Sequence, residues 1–178
     1  MKGTHAGGGR QLNARQTGQA DWDLNAVVSR YADMVLRLAM ARCRNQSDAE
    51  DIFQEVFLRF LRAQHKITSE EHCKAWLIRC TINCSKTLFT SAWNRRTVPL
   101  DDAIPFDDSQ ESELYSIVMS LPVKYRTVIH LYYYEGFSIP EISGLLHRNE
   151  STVKSQLSRA RSLLRADLRE EDPLAQNL

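Results

Sequence analysis

The chain's 178 residues leave room for one or two small domains, and 43% hydrophobic content supports a packed core. Only 7 glycines and 5 prolines, with apolar residues recurring at helical spacing, favour helices over strands, so the fold class is all-α. The net charge of +1, from 23 Lys+Arg and 22 Asp+Glu, excludes a uniformly basic or acidic chain, so any affinity for nucleic acid must come from local sorting of charge.

Residues 1–20 are rich in Gly, Gln and small polar residues without periodicity, which predicts a disordered tail. From Leu24 to about Cys43, the positions Leu24, Val27, Val28, Tyr31, Val35, Leu38 and Ala39 keep helical spacing and predict an amphipathic helix. Ser47 and Glu50 have capping-box spacing for a second helix. That helix collects Ala49, Ile52, Phe53, Val56, Phe57, Phe60 and Leu61 on one face. Asp48, Asp51, Gln54, Glu55 and Leu58 fall on the other, which is polar and acidic.

A third helix is predicted from about Glu70, with acids in its first turn as the helix dipole favours, to about Ala92. Cys73, Leu77, Cys80, Cys84 and Leu88 share one side; Arg79, Asn83, Lys86 and Thr90 share the other, a cationic and hydrogen-bonding face. Residues 97–112 hold two prolines and the acids Asp101, Asp102, Asp107, Asp108 and Glu111 without any Lys or Arg, and read as a flexible acidic linker. A short helix over Glu113 to Leu121 and a longer one over Val123 to Glu135 follow, with Pro122 in the first turn and Gly136 at the end.

Ser138 and Glu141 repeat the capping-box spacing before a short helix to Leu146; the turn His147-Arg148-Asn149 leads into a longer helix with Val153, Leu157, Ala160 and Leu164 as its buried stripe. Two helices of these lengths joined by so short a turn predict a helix-turn-helix, whose second helix enters the major groove of duplex DNA. Residues 147–169 carry six cations, among them Arg148, Lys154 and Arg159, against the two acids Glu150 and Asp167. That surplus is what phosphate neutralisation requires. The outward positions Ser151, Thr152, Lys154, Ser155, Ser158 and Arg159 are hydroxyls and long cations, suited to base edges and phosphates.

The segment FSIPEISGLLHRNESTVKSQLSRARSLLRADL, preceded by LPVKYRTVIHLYYYEG, resembles the promoter-reading region of the extracytoplasmic-function sigma factors of bacterial RNA polymerase, in the sigma-70 family. DAEDIFQEVFLRF resembles that family's polymerase-binding helix and AWLIRCTINCSKTLF its minus-10-reading helix, in the same order along the chain. The resemblance implies residues 21–96 as sigma region 2, 97–112 as linker, 113–170 as the region 4 helix-turn-helix and 171–178 as a tail. It implies that Asp48, Asp51, Gln54, Glu55 and Leu58 face the β′ clamp of core polymerase. It also implies that Ile67, Thr68, Arg79, Asn83 and Lys86 hold unstacked minus-10 bases, and that the outward residues of the last helix read a duplex minus-35 element. The expected partners are core polymerase (β′ clamp and β flap), promoter DNA and an anti-sigma protein. Two departures from the family pattern are His147-Arg148-Asn149 in the turn and Gln156 in place of a frequent Arg.

Cys73, Cys80 and Cys84, with His72 nearby, lie on an apolar stripe and lack paired Cys-x-x-Cys spacing, so packing is favoured over a metal site. Trp76 and the run Tyr132, Tyr133, Tyr134 read as core and interdomain filler. No Ser/His/Asp set, Gly-rich phosphate loop or paired carboxylates point to an enzyme, and neither a cofactor nor a small-molecule substrate is expected. Without a membrane-length apolar run or a secretion signal, the expected location is the cytoplasm. The competing function is a stand-alone helix-turn-helix regulator.

Overall fold

The structure is a computed structural model that describes residues 22–43, 45–95 and 116–171. The expected tail over residues 1–20 and the acidic linker lie outside the described residues. Helix α1 spans Leu24–Arg42, α2 Gln46–Ala63 and α3 Glu70–Arg95, with a 3-10 turn at Gln64–Lys66 between the last two. After the linker come α4 (116–120), α5 (Val123–Ile129), α6 (Ile139–Leu146) and α7 (Glu150–Glu171). No strand occurs among the described residues.

Helices α1, α2, α3 and α6 start where a side chain satisfies one of their free N–H groups. Asp23 accepts from the Asn25 N–H at 3.0 Å to open α1. For α2 the cap is Asn45 and not the expected Ser47: its Oδ1 accepts from the Asp48 N–H at 2.7 Å, and Glu50 accepts instead from the Gln46 side chain. Asn45 wins because its extended backbone already leads into the first turn, one step before Gln46.

The first three helices pack through Leu38, Val56, Phe60, Leu77 and Ile78, all fully buried. Phe60 is central, with Trp22 and Trp76 set edge-on to its ring at centroid distances of 6.2 and 6.0 Å. The Trp22 indole N–H donates to the Ile67 carbonyl at 3.0 Å and ties the chain's entry into α1 to the loop before α3. Leu61, expected on the core face, is 39% exposed and sits at the edge of the buried stripe.

The C-terminal helices pack through Val128, Leu131, Ile142, Val153, Leu157 and Ala160. The single helix expected over Val123 to Glu135 changes instead to π geometry at His130–Tyr134. There the Glu135 N–H donates to the His130 carbonyl (3.1 Å) and the Phe137 N–H to the Leu131 carbonyl (3.0 Å). The widened turn ends at Gly136, whose φ of +70° is left-handed backbone that glycine adopts without steric penalty. Tyr133 and Tyr134 are 55% and 61% exposed, so they are not filler: the bulge rotates them outward, where Tyr133 accepts from Arg161 Nε at 2.8 Å and Tyr134 stacks on His130.

The two helical groups pack directly on each other, α5 against α1 and α6 against α3, and their buried side chains form one continuous cluster. Arg42, at the end of α1, spans the junction: Nε donates to the Ser85 hydroxyl of α3 and Nη1 to the Thr127 hydroxyl of α5 at 2.7 Å. Arg126 Nη2 donates to the Arg42 carbonyl (3.4 Å). Lys74 of α3 reaches Glu135 at 3.5 Å and lies over the Phe137 ring at 4.7 Å.

Candidate nucleic-acid interface and partner face

The helix-turn-helix is built locally. Ser138 and Glu141 close a reciprocal capping box at the start of α6, with Pro140 tolerated in the first turn. His147 ends α6 in left-handed backbone (φ 50°, ψ 51°), an uncommon conformation for a residue with a Cβ. The Ser143 hydroxyl donates to the Arg148 carbonyl, and Arg148 Nη1 donates to Gln156 Oε1 at 2.8 Å, so the two departures from the family pattern bond to each other and brace the turn against α7.

Ser151, Thr152, Lys154, Ser155, Ser158 and Arg159 are all exposed on α7, opposite the buried Val153, Leu157 and Ala160. Ser151, Thr152, Ser155 and Arg159 share a broad concavity of about 450 Å³ with Lys124 and Tyr125 of α5. Lys154 and Ser158 lie on the neighbouring strip of the helix, Lys154 near Glu150 at 3.6 Å. Sequence reasoning missed Lys124 and Tyr125. Their signal was a cation and an aromatic just after the Leu121-Pro122 step, and only the packing of α5 on α7 brings them beside the recognition helix.

On α2, Asp51, Gln54 and Leu58 are exposed, and Asp48 and Glu55 partly so. Spacings of three, four and seven residues set them on one stripe. Asp48 accepts from the Asn45 amide at 2.8 Å, and Glu55 pairs with Arg59 at 2.6 Å. Leu58 at 49% and Leu61 at 39% exposure add apolar area beside the acids, a mixture suited to a protein partner.

The residues assigned to the minus-10 element divide into two places. Ile67 is 1% exposed and belongs to the core, so its side chain is not free to hold a base, and its carbonyl accepts from the Trp22 indole N–H. Thr68 is exposed near His72, at the beginning of α3. Arg79, Asn83 and Lys86 sit roughly 14 Å or more along the axis, where they line a cleft of about 250 Å³ between α3 and the turn of the helix-turn-helix. Cys73, Cys80 and Cys84 are buried on the opposite side of α3. Burial pushes the Cys73 thiol up to about 11, as expected for a side chain that packs rather than reacts.

Residues 27–95 match the family described as Sigma-70 region 2, and residues 111–164 the one described as Sigma-70, region 4. The chain is 30% identical over 142 residues to the RNA polymerase sigma factor SigV of Bacillus subtilis, covering 76% of this chain and 85% of that protein. It is 32% identical over 167 residues to the ECF RNA polymerase sigma factor SigE of Mycolicibacterium smegmatis, covering 84% of this chain and 62% of that one. In fold it resembles the sigma factor RpoE of Bartonella quintana, solved in complex with the anti-sigma factor NepR. The TM-score is 0.69 at 19% identity, over 83% of this chain and 97% of that one.

Proposed function

The chain belongs to the sigma-70 family, as an extracytoplasmic-function sigma factor that directs promoter-specific initiation by RNA polymerase, and from that premise we propose how its surfaces divide the work. Residues 21–96 act as region 2 and 113–170 as region 4. The α2 stripe of Asp48, Asp51, Gln54, Glu55 and Leu58 docks on the β′ clamp, with Leu61 extending the apolar contact. On α7, Ser151, Thr152, Lys154, Ser155, Ser158 and Arg159 read the minus-35 element in the major groove, with Lys124 beside them on the phosphate backbone. Thr68, Arg79, Asn83 and Lys86 hold the minus-10 strand once it is unpaired.

The observation that carries this reading is the exposed face of α7: six hydroxyl and cationic side chains on one helix, behind a braced turn and opposite a fully apolar stripe. A duplex is read by such a helix in the major groove, and each good base contact discriminates by about 1–3 kcal/mol. The chain has no catalytic task of its own, since nucleotide addition belongs to the core enzyme; it works in the cytoplasm, where the promoter is. An anti-sigma protein holds it inactive, by likeness to the Bartonella quintana factor, which was solved with one.

The test is run-off transcription from a genomic promoter library with purified core polymerase. Defined start sites that vanish without the chain are expected. Nanomolar, sequence-specific binding of promoter duplex by the free chain at physiological salt, without stimulation of core polymerase, would overturn the reading in favour of a stand-alone regulator.

A further inference from the structure

The cleft between α3 and the helix-turn-helix has an unusual charge balance. Arg42 and Arg79 reach it from the N-terminal helices, Lys124 and Arg148 from the C-terminal ones, and among the described residues no Asp or Glu lines it. Arg42 is only 5% exposed, and its described partners are hydroxyls; among the described residues no carboxylate pairs with it. A buried cation is ordinarily paired, because desolvation costs several kcal/mol that hydroxyl dipoles offset only in part. Arg126 and Arg148 are close enough to disfavour its charge further. Packing the two helical groups together also brings like charges within a Debye length of one another, about 8–10 Å at ordinary salt.

We propose that this cleft is a binding site for a small multivalent phosphate anion, which meets the converging cations and bridges the two helical groups. Guanidinium forks match the tetrahedral oxyanion bidentately, and several convergent cations favour two or more phosphate charges over one. A volume of about 250 Å³ admits a phosphate or diphosphate group and excludes a duplex. Inorganic pyrophosphate and the phosphate tail of a nucleotide share this chemistry. One consequence rests on the proposed function: an anion here occupies the space that Arg79, Asn83 and Lys86 would offer to minus-10 bases, so it competes with promoter opening.

Calorimetric titration of the full chain tests the site without reference to DNA, so its outcome is separable from the promoter assignment. Pyrophosphate, ATP and sulfate are each titrated without divalent metal, at constant ionic strength set with chloride. One saturable site is expected for pyrophosphate, at least tenfold tighter than for sulfate. It should weaken at least tenfold in the K124Q/R148Q double variant, whose two positions are exposed and whose helical signal is checked by circular dichroism. ATP at least tenfold tighter than pyrophosphate would identify a nucleotide as the source; equal affinities would identify the free anion. Amide exchange in α5 and α6 should slow on saturation, which a surface ion cloud would not cause. Absence of saturable heat, equal binding of sulfate, or unchanged affinity in K124Q/R148Q would overturn the proposal.

Discussion

Replacing Arg42 with Met removes the buried charge while keeping most of the side chain's volume. Two opposing effects follow. The charge-assisted hydrogen bonds to Ser85 and Thr127 contribute about 1.5–3 kcal/mol each. Against them, burial pushes the guanidinium well below its ordinary range, to about 10, and at about 1.4 kcal/mol per pH unit holding the charge in the core costs about 3 kcal/mol. Met strands no donor, because Ser85 already donates to the Ile82 carbonyl (2.8 Å) and Thr127 to the Val123 carbonyl (2.7 Å). R42M should therefore change the unfolding free energy by no more than about 3 kcal/mol. R42A also opens a cavity, and a large-to-small change in the core loses about 2–5 kcal/mol. Urea titration followed by circular dichroism at neutral pH, in chloride buffer free of phosphate, measures both. A loss above about 4 kcal/mol for R42M, with the native helical signal intact, would refute the claim that desolvation nearly offsets the hydroxyl bonds.

Reversing Asp51 and Glu55 to Lys should abolish capture by core polymerase at an expected loss of a few kcal/mol, with the helical signal unchanged; undiminished pull-down would remove the clamp assignment. Alanine at Lys154 and Ser155 should weaken recruitment by about 1–3 kcal/mol per lost base contact and relax preference at minus-35 alone, whereas alanine at Asn83 and Lys86 should spare recruitment and impair opening. Permanganate footprinting, with a pre-melted template as control, separates the two, and normal opening by the Asn83/Lys86 variant would count against the minus-10 assignment. Burial pushes the Glu135 carboxyl up, but the His130 ring, 3.5 Å away, and Lys74 outweigh it and hold the group below its usual range. Its contribution is present above the ordinary carboxylate range and lost as pH falls through the depressed value, so E135Q should flatten the acid limb of urea midpoint against pH. An identical acid limb in E135Q would show that other carboxylates govern it.

The sequence by itself determined the helices and their faces. Apolar spacing in α1, α2, α3 and α7 is a local record of which side is buried, and the Ser138–Glu141 box marks its own helix start because cap and partner are three residues apart. The exposed face of α7 was legible for the same reason: with Val153, Leu157 and Ala160 inward, the hydroxyls and cations have only one direction left. Local rules misjudged Ser47, where Asn45 competes for the same free N–H groups, and Ile67, whose burial is set by tertiary packing and whose carbonyl is bonded by Trp22 from forty-five residues away. The π turn at His130–Tyr134 was equally hidden, since one extra residue in a turn leaves the hydrophobic period almost unchanged while rotating Tyr133 and Tyr134 outward. Tertiary structure alone decided that Lys124 and Tyr125 stand beside the recognition helix, and that Arg42, Arg79 and Lys86 face Lys124 and Arg148 across one cleft. Those residues come from helices on both sides of the acidic linker. Periodicity assigns a residue to a face of its own helix, but only the packing of α1 on α5 and α3 on α6 sets which faces meet.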